Sequence, residues 1–480
     1  MEEIDLARIK KKSLSGIVAL TSRTFILQLI GFVATFLLTI FLTPSIFGIF
    51  YVVSAIIAFL SYFSDIGLAA ALIQKHETLT DDDLITTFTI QQLLVLPISI
   101  VVFLLAPYIG RFYGLDVTGV MLLKALVVSF FFSSLKTIPS ILLERNLEFN
   151  KLIIPQIAET LGFYVVAVVL AWAGYGITSF TWAVVVRAFV GLILMYIISP
   201  WRIRFGISKP VAKRLLKFGI PFQMNSFLAL LKDDLMTVFL GKILPFSYIG
   251  YIGWAKKWAE VPLRLIMDSV IRVTFPTFSR LQHSKELLGV AIDKTLFGLA
   301  LTMIPISTVL MFFMGPAVQL IPKYGKWEPA LFSFSLFVLS ALMAGFSTPL
   351  TNALNAVGKI KITMMLMVFW TIATWILTVI LIRFFGFNGF AIGLSILSLS
   401  IVIVIRLAHQ YASFSFIRSI QWPAVGGLAQ TVFYLIFRGN MPFSLPRLLI
   451  VGISGVILYI SIVWMSQKQQ ITDIVRGFRL

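Results

Sequence analysis

Five ionisable residues stand three or four positions apart in one apolar stretch: Lys257, Glu260, Arg264, Asp268 and Arg272. On a helix that spacing puts all five on one face, with Lys256 beside it. Three cations against two acids leave the face net positive. Arginine forks and lysine ammonium groups in such an array could hold a phosphate or diphosphate. The same signs also allow Glu260–Arg264 and Asp268–Arg272 to neutralise each other and merely solvate a groove. In either case the face must meet water or protein, because lipid does not accept it.

Other charges are sparser. Arg23 lies in the first apolar segment, where it either points into a bundle as an anion ligand or snorkels to the inner headgroups. Asp65 closes a polar face with Tyr51, Ser54, Ser61 and Tyr62. It is a candidate H⁺ or Na⁺ carrier, or else a structural cap pairing with Arg23. Lys136, Glu159 and Arg187 fall in the fourth, fifth and sixth segments, where each could form a salt bridge within one lobe. Arg187 is also a candidate anion contact. Lys232, Asp233 and Asp234 are consecutive, so they cannot share one helical face; Asp233 and Asp234 are further candidates for ion coupling. Trp254 and Trp258 could present ring faces to sugars, although tryptophan also marks membrane interfaces.

The elements that carry these residues are membrane helices. Hydrophobic residues make up 59% of the chain and charged ones 12%, against about a quarter charged in soluble proteins. No stretch is long and polar enough for a soluble domain. The absence of cysteine excludes disulfides, thiolate metal sites and cysteine nucleophiles. His76, His283 and His409 are scattered, so the sequence predicts neither a metal site nor a catalytic triad. The start, MEEIDLARIKKK, reads as preceding a retained first helix rather than a cleaved leader.

Counting about 20 apolar residues per crossing, the sequence predicts helices near 14–42, 46–74, 84–112, 117–144, 149–173, 178–200, 212–243, 246–280, 287–320, 328–357, 360–384, 388–416, 420–437 and 446–466. Pro44, Pro245 and Pro446 suit helix starts, and Pro97, Pro155, Pro221 and Pro305 should bend helices. With the N-terminus inside, the inner loops hold roughly three times the Lys and Arg of the outer ones, including the run WRIRFGISKPVAKRLLK from Trp201 to Lys217. Both termini are therefore expected in the cytoplasm. The net charge of +19 is explained by this bias without nucleic acid. For the central run, the topological reading competes with binding of anionic lipid.

The chain also echoes itself. LTPSIFGIFYVVSAI around Pro44 matches ILPFSYIGYIGWAKKW around Pro245; FLLAPYIGRFYG matches FFMGPAVQLIPKYG; AGYGITSFTWAVV matches FGFNGFAIGLSIL. The echoes keep their order, displaced by roughly 200 to 212 residues, as a duplicated half-bundle requires. The expected fold is all-α and integral to the membrane, with about fourteen transmembrane helices. Two pseudo-symmetric six-helix lobes would span 1–205 and 206–418, and two additional helices with a cytoplasmic tail would occupy 419–480. Charge concentrates in helices one, two, seven and eight, the corresponding first pairs of each lobe. That placement suggests a shared, positively lined chamber suited to an anion attached to sugar or lipid.

The stretches LTPSIFGIFYVVSAIIAFLSYFSDIGLAAALIQK and LKTIPSILLERNLEFNKLIIPQIAETLGFYVVAVVLAWAGYG resemble polysaccharide flippases of the multidrug/oligosaccharidyl-lipid/polysaccharide exporter superfamily. The resemblance implies two six-helix lobes in a V and transfer of polyprenyl-pyrophosphate-linked oligosaccharide to the outer leaflet of the cell membrane by alternating access. It implies a transporter rather than an enzyme, with a lipid-linked glycan as partner, a polysaccharide polymerase as a further one, and a monomeric state. Related peptidoglycan-precursor flippases use cations in their first and eighth helices, and by position Arg23, Arg264 and Arg272 would serve likewise. A peptidoglycan-precursor flippase, a multidrug antiporter and a membrane glycan polymerase or ligase are the alternatives. Cationic drugs would want an acidic cavity, and a polymerase a long outer loop.

Overall fold

Proline and glycine set the first boundaries. Pro44 opens one helix at the position where a missing amide costs nothing, and Gly114 closes another with φ 70°. The computed structural model describes residues 26–75, 77–438 and 444–477; the side chains of residues 222, 224–226, 229, 268, 269, 470, 471 and 473–477 lie outside that description. Arg23 and His76 therefore fall outside the described residues, as does the side chain of Asp268.

The first part of the chain comprises α1 (Ile26–Phe41), α2 (Pro44–Asp65), α3 (Leu68–Gln74), α4 (Asp81–Tyr113), α5 (Val117–Leu135), α6 (Thr137–Arg145), α7 (Phe149–Trp172), α8 (Thr178–Ile198) and α9 (Lys209–Ile243). After α10 (Phe246–Ala259) follow α11 (Val261–Leu281), α12 (Lys285–Leu320), a 3₁₀ turn at Gly325–Ala330, α13 (Leu331–Ala356), α14 (Ile360–Phe385), α15 (Asn388–Ser398), α16 (Ile401–Ala408), α17 (Phe416–Arg438) and α18 (Leu445–Gly477). Every predicted segment overlies described helix, and the described residues contain eleven helices long and apolar enough to cross a membrane. The eleven leave out the short helices α1, α3, α6 and α10, and the longer α9 and α11, which carry several charges in their interiors.

The helix breaks do not coincide with the prolines expected to bend helices. Pro97, Pro155, Pro221 and Pro305 sit inside continuous helices. The predicted second, fourth, eighth and twelfth helices instead divide at Ile66–Gly67, Lys136, Glu260 and Leu399–Ser400. Ile66 and Gly67 both adopt positive φ, which ends α2 outright. At Glu260 the cause is Pro262, whose missing amide cannot reach back to the preceding turn.

Contacts divide the chain into two compact units, Met1–Gly250 and Tyr251–Leu480. In the first, α7 packs along α8, α5 on both α4 and α8, and α9 on α2, α3 and α4. Phe50 stacks on Phe180 at 4.2 Å. Small residues bring α2 and the α9–α10 segment into backbone contact, the way membrane helices gain packing without a hydrophobic drive. A Cβ on Gly67 would overlap the Gly219 carbonyl, and one on Gly219 the Ile66 carbonyl. At the other end of α2, a Cβ on Gly48 would overlap the Phe246 carbonyl, and one on Gly250 the Pro44 carbonyl. Residues 250 and 246 stand the same 202 positions after 48 and 44, so the two copies of the repeated motif touch each other reciprocally.

In the second unit, α11, α12 and α13 surround a core containing Met267, Phe278, Leu296, Met303, Phe346 and Leu350. Helices α17 and α18 pack on each other and on α12. The Tyr459 hydroxyl donates to the Ala300 carbonyl at 3.2 Å, and the Tyr434 hydroxyl to that of Gly452 at 2.9 Å.

Candidate functional site

The candidate face begins in α10 and continues into α11. Leu263, Ile266, Met267, Val270, Ile271 and Phe278 turn one side of α11 into the core. That packing leaves Arg264 and Arg272 exposed on the opposite side, eight residues apart and hence on one face. Glu260, at the junction, accepts from Arg264 at 2.7 Å and lies 3.9 Å from Lys256. The side chain of Glu260 is 22% exposed, that of Arg264 59%. Arg264 is more than half open, so its guanidinium can be reached from outside the pair. Lys257 is half-buried on the last turn of α10, beside this pair in sequence. An exposed double-arginine face in a membrane helix bundle needs water or an anion against it.

The two tryptophans are core residues rather than a platform for sugars. Trp254 is 1% exposed and Trp258 5%. Trp254 stacks on Trp327 at 5.3 Å and donates from Nε1 to the Tyr324 hydroxyl at 3.1 Å. Its ring face is therefore committed to the core, and packing took the side chains that sequence alone offered to sugars.

In the first unit the charges form different sites. Glu159 of α7 accepts from Lys136 Nζ at 2.5 Å and lies 3.9 Å from Arg187 of α8. Its carboxylate occupies the notch left by Gly191, where a Cβ would overlap it. Tyr196 donates to the Leu135 carbonyl at 3.0 Å, meeting an acceptor beside the α5–α6 break. Gln91 and Gln92 donate to Thr137 and Ser134 at 2.9 and 3.0 Å. Arg187 is thus drawn toward Glu159, with its side chain 54% exposed.

Asp65 accepts from the Ala69 amide at 3.2 Å and so caps α3 across the break. Next to it, Tyr62 donates to the Gln223 carbonyl at 2.5 Å while Gln223 Nε2 returns a bond to the Tyr62 carbonyl at 3.0 Å. Helix α9 runs unbroken through Lys232, Asp233 and Asp234, of which Asp233 is exposed and its neighbours half-buried.

Two polar sites were missed in the sequence. Asp83 has a side chain 0% exposed and binds Lys75 at 2.6 Å, Arg214 of α9, and the Thr80 amide at 2.9 Å. The run Thr80–Asp83 carried a signal, since Thr followed three residues later by an acid is a capping box. On α13 the run STPLTN places Ser347 and Asn352 so that Ser347 Oγ and Asn352 Nδ2 are buried without a partner among the described residues. That polarity was legible, but it carries no charge and drew no attention.

Eleven helices long and apolar enough to cross a membrane, among the described residues, mark this chain as a multi-pass membrane protein. Over 95% of its length it superposes on all of the lipid II flippase MurJ in an inward closed conformation, with TM-score 0.75 and 16% identity. An inward-facing multidrug resistance transporter of the MATE family superposes over 82% of this chain and 97% of its own, with TM-score 0.62 and 15% identity. Residues 37–331 match the polysaccharide biosynthesis protein family, and the chain belongs to it.

Among curated relatives, the succinoglycan biosynthesis transport protein ExoT of Rhizobium meliloti is 26% identical over 66% of this chain and 63% of its own. The lipopolysaccharide biosynthesis protein WzxC of Escherichia coli is 25% identical over 76% of this chain and 74% of its own. The chain thus spans just under two thirds of the first of these relatives.

Proposed function

We propose that this protein is a flippase that carries a polyprenyl-diphosphate-linked oligosaccharide from the inner to the outer leaflet, supplying a surface polysaccharide. The observation that carries the reading is the half-open cationic face of Arg264 and Arg272 on a helix whose other side is core. A diphosphate presents oxygens that guanidinium groups bind in pairs, while Lys256 and Lys257 add charge at the near end. The glycan would follow the headgroup through water and the polyprenyl tail would remain in lipid. No bond is made or broken. In this reading the chain crosses the membrane fourteen times, as two six-helix repeats and a C-terminal pair, with both ends in the cytoplasm. The three echoes and the loop charge bias support that arrangement.

Transfer proceeds by alternating access. The membrane potential acts on the anionic headgroup with about 2.3 kcal/mol per charge per 100 mV. Coupling to H⁺ or Na⁺ through Asp65, Asp233 or Asp234 belongs to the proposal, as do direct contacts of Arg23 and Arg187 with the substrate. A cationic drug would meet like charge on α11, which disfavours the multidrug reading.

The test is reconstitution of the full chain in liposomes with a fluorescent polyprenyl-diphosphate-linked oligosaccharide and a membrane-impermeant quencher. Transfer by the natural sequence and loss in Arg264→Gln/Arg272→Gln at equal protein content is the expected result. Undiminished transfer by that variant would sink the anion site.

A further inference from the structure

The run that the transport reading leaves unused is the basic connection between α8 and α9. A flexible linker would be expected here, yet residues 201–208 are fixed along α4. The Gly206 amide donates to Thr89 Oγ1 and the Ser208 amide to Thr86 Oγ1, both at 3.0 Å. Arg204 lies 3.4 Å from Asp81, and Trp201 packs on Phe88 at 5.0 Å. Just beyond, Arg214 reaches the buried Asp83. The connection is a non-helical strap tied down along its length.

What the strap presents is patterned. Ile203, Phe205 and Ile207 are 47%, 71% and 54% exposed, although Trp201 and Leu215 at either end find places on the core. Between them stand Arg202 and Arg204, also exposed. Phe205 rests on Phe88 at 5.6 Å yet keeps 71% of its surface exposed, and Ile203, Phe205 and Ile207 alternate in sequence with Arg202, Arg204 and Gly206. Helix α9 then begins with exposed Lys209, Lys213 and Lys217, four apart and on one face. Its first turn holds no acid, so the positive end of the helix dipole meets a lysine there instead of a stabilising anion. Gly206 and Ser208 give their amides to threonines, but a non-helical backbone has no ladder for the others, and their need for water or headgroup oxygens keeps the strap out of the hydrocarbon.

We propose that residues 201–217 form an interfacial strap that binds the anionic phospholipid surface of one leaflet. Ile203, Phe205 and Ile207 enter the boundary between headgroups and acyl chains. Arg202, Lys209, Lys213 and Lys217 lie against lipid phosphates, which supply the negative charge that the first turn of α9 lacks. Positive charge interleaved with apolar side chains on a tied backbone fits this partner. The strap is a membrane contact in its own right and does not depend on what the protein transports.

The chain has no cysteine, so single substitutions from Arg202→Cys to Ile207→Cys in the full-length protein can each carry one nitroxide label. The proteins are placed in nanodiscs of phosphatidylcholine, alone or mixed with phosphatidylglycerol. Collisions with oxygen report lipid, and collisions with a water-soluble nickel chelate report solvent. The expected result is a period of two: positions 203, 205 and 207 favour oxygen, positions 202 and 204 favour nickel. Phosphatidylglycerol should move the odd positions deeper by several-fold in the ratio of the two rates. Arg202→Gln/Lys209→Gln/Lys213→Gln/Lys217→Gln should abolish that response. Uniform nickel access along the strap would overturn the proposal, and so would an equal profile in neutral and anionic bilayers. Protection from both reagents would equally overturn it, by placing protein rather than lipid on the strap.

Discussion

Both parts of the chain place lysine, arginine and glutamate on helices of the bundle, yet they use them in opposite ways. Glu159 takes its partners from other helices, Lys136 at the α5–α6 junction and Arg187 on α8, and Gly191 makes room for its carboxylate. Lys136 and Glu159 are each 13% exposed. Glu260 takes its partners from its own neighbourhood in sequence, Lys256 and Arg264, and Arg264 remains 59% exposed. Charges neutralised between helices fix a fold. Charges paired along a helix, with the outer cation left open, keep the capacity to bind something else. The difference separates a cluster whose loss should harm folding from a face whose loss should harm transport.

The largest expected effect tests the open face. Arg264→Gln/Arg272→Gln removes two charge-assisted contacts of about 1.5–3 kcal/mol each, about tenfold to a hundredfold per contact in transfer rate. Its melting temperature should stay near that of the natural protein, since both side chains are exposed. A fall in melting temperature with unchanged transfer would reverse the comparison.

Next comes the closed cluster. Lys136→Met leaves Glu159 buried without its nearest cation and should cost about 3–5 kcal/mol in denaturation of the purified protein. Lys136→Met/Glu159→Leu should recover most of that loss, because an apolar pair replaces a buried ion pair at little cost. Failure of the double variant to recover would mean that the cluster does more than hold helices together.

Gly191→Val sharpens the same point from the other side. Its side chain would overlap the Glu159 carboxylate, and overpacking of this kind costs about 1–3 kcal/mol. Paired with Glu159→Ala it should cost less, and a thermal denaturation cycle measures the coupling. The smallest effect is expected at Tyr62→Phe, which removes the bond to the Gln223 carbonyl and should lower stability by about 0.5–1.5 kcal/mol.

Much of the fold was legible because membrane helices announce themselves by length and apolarity. The repeated Pro–Gly motif was legible too, and its two copies meet through Gly48 and Gly250. What the sequence could not yield depended on contacts between distant segments. Asp83 reads as a helix cap, and only the fold brings Arg214 to it from 131 residues away. Gly191 looks like any small residue until Glu159 is seen opposite it. Trp254 is as apt for sugar as for core on paper, and its burial against Trp327 decides the matter. The cationic stripe was readable as a periodicity. That Arg264 stays open, and that Pro262 divides the helix beside it, were not.

Binding tests the central claim most directly. A short-chain prenyl-diphosphate disaccharide would be titrated into the full-length protein in nanodiscs, by calorimetry, at increasing salt. Saturable binding is expected that weakens with salt, survives in Lys136→Met/Glu159→Leu and is lost in Arg264→Gln/Arg272→Gln. Equal affinity for the natural protein and the double-arginine variant would contradict it.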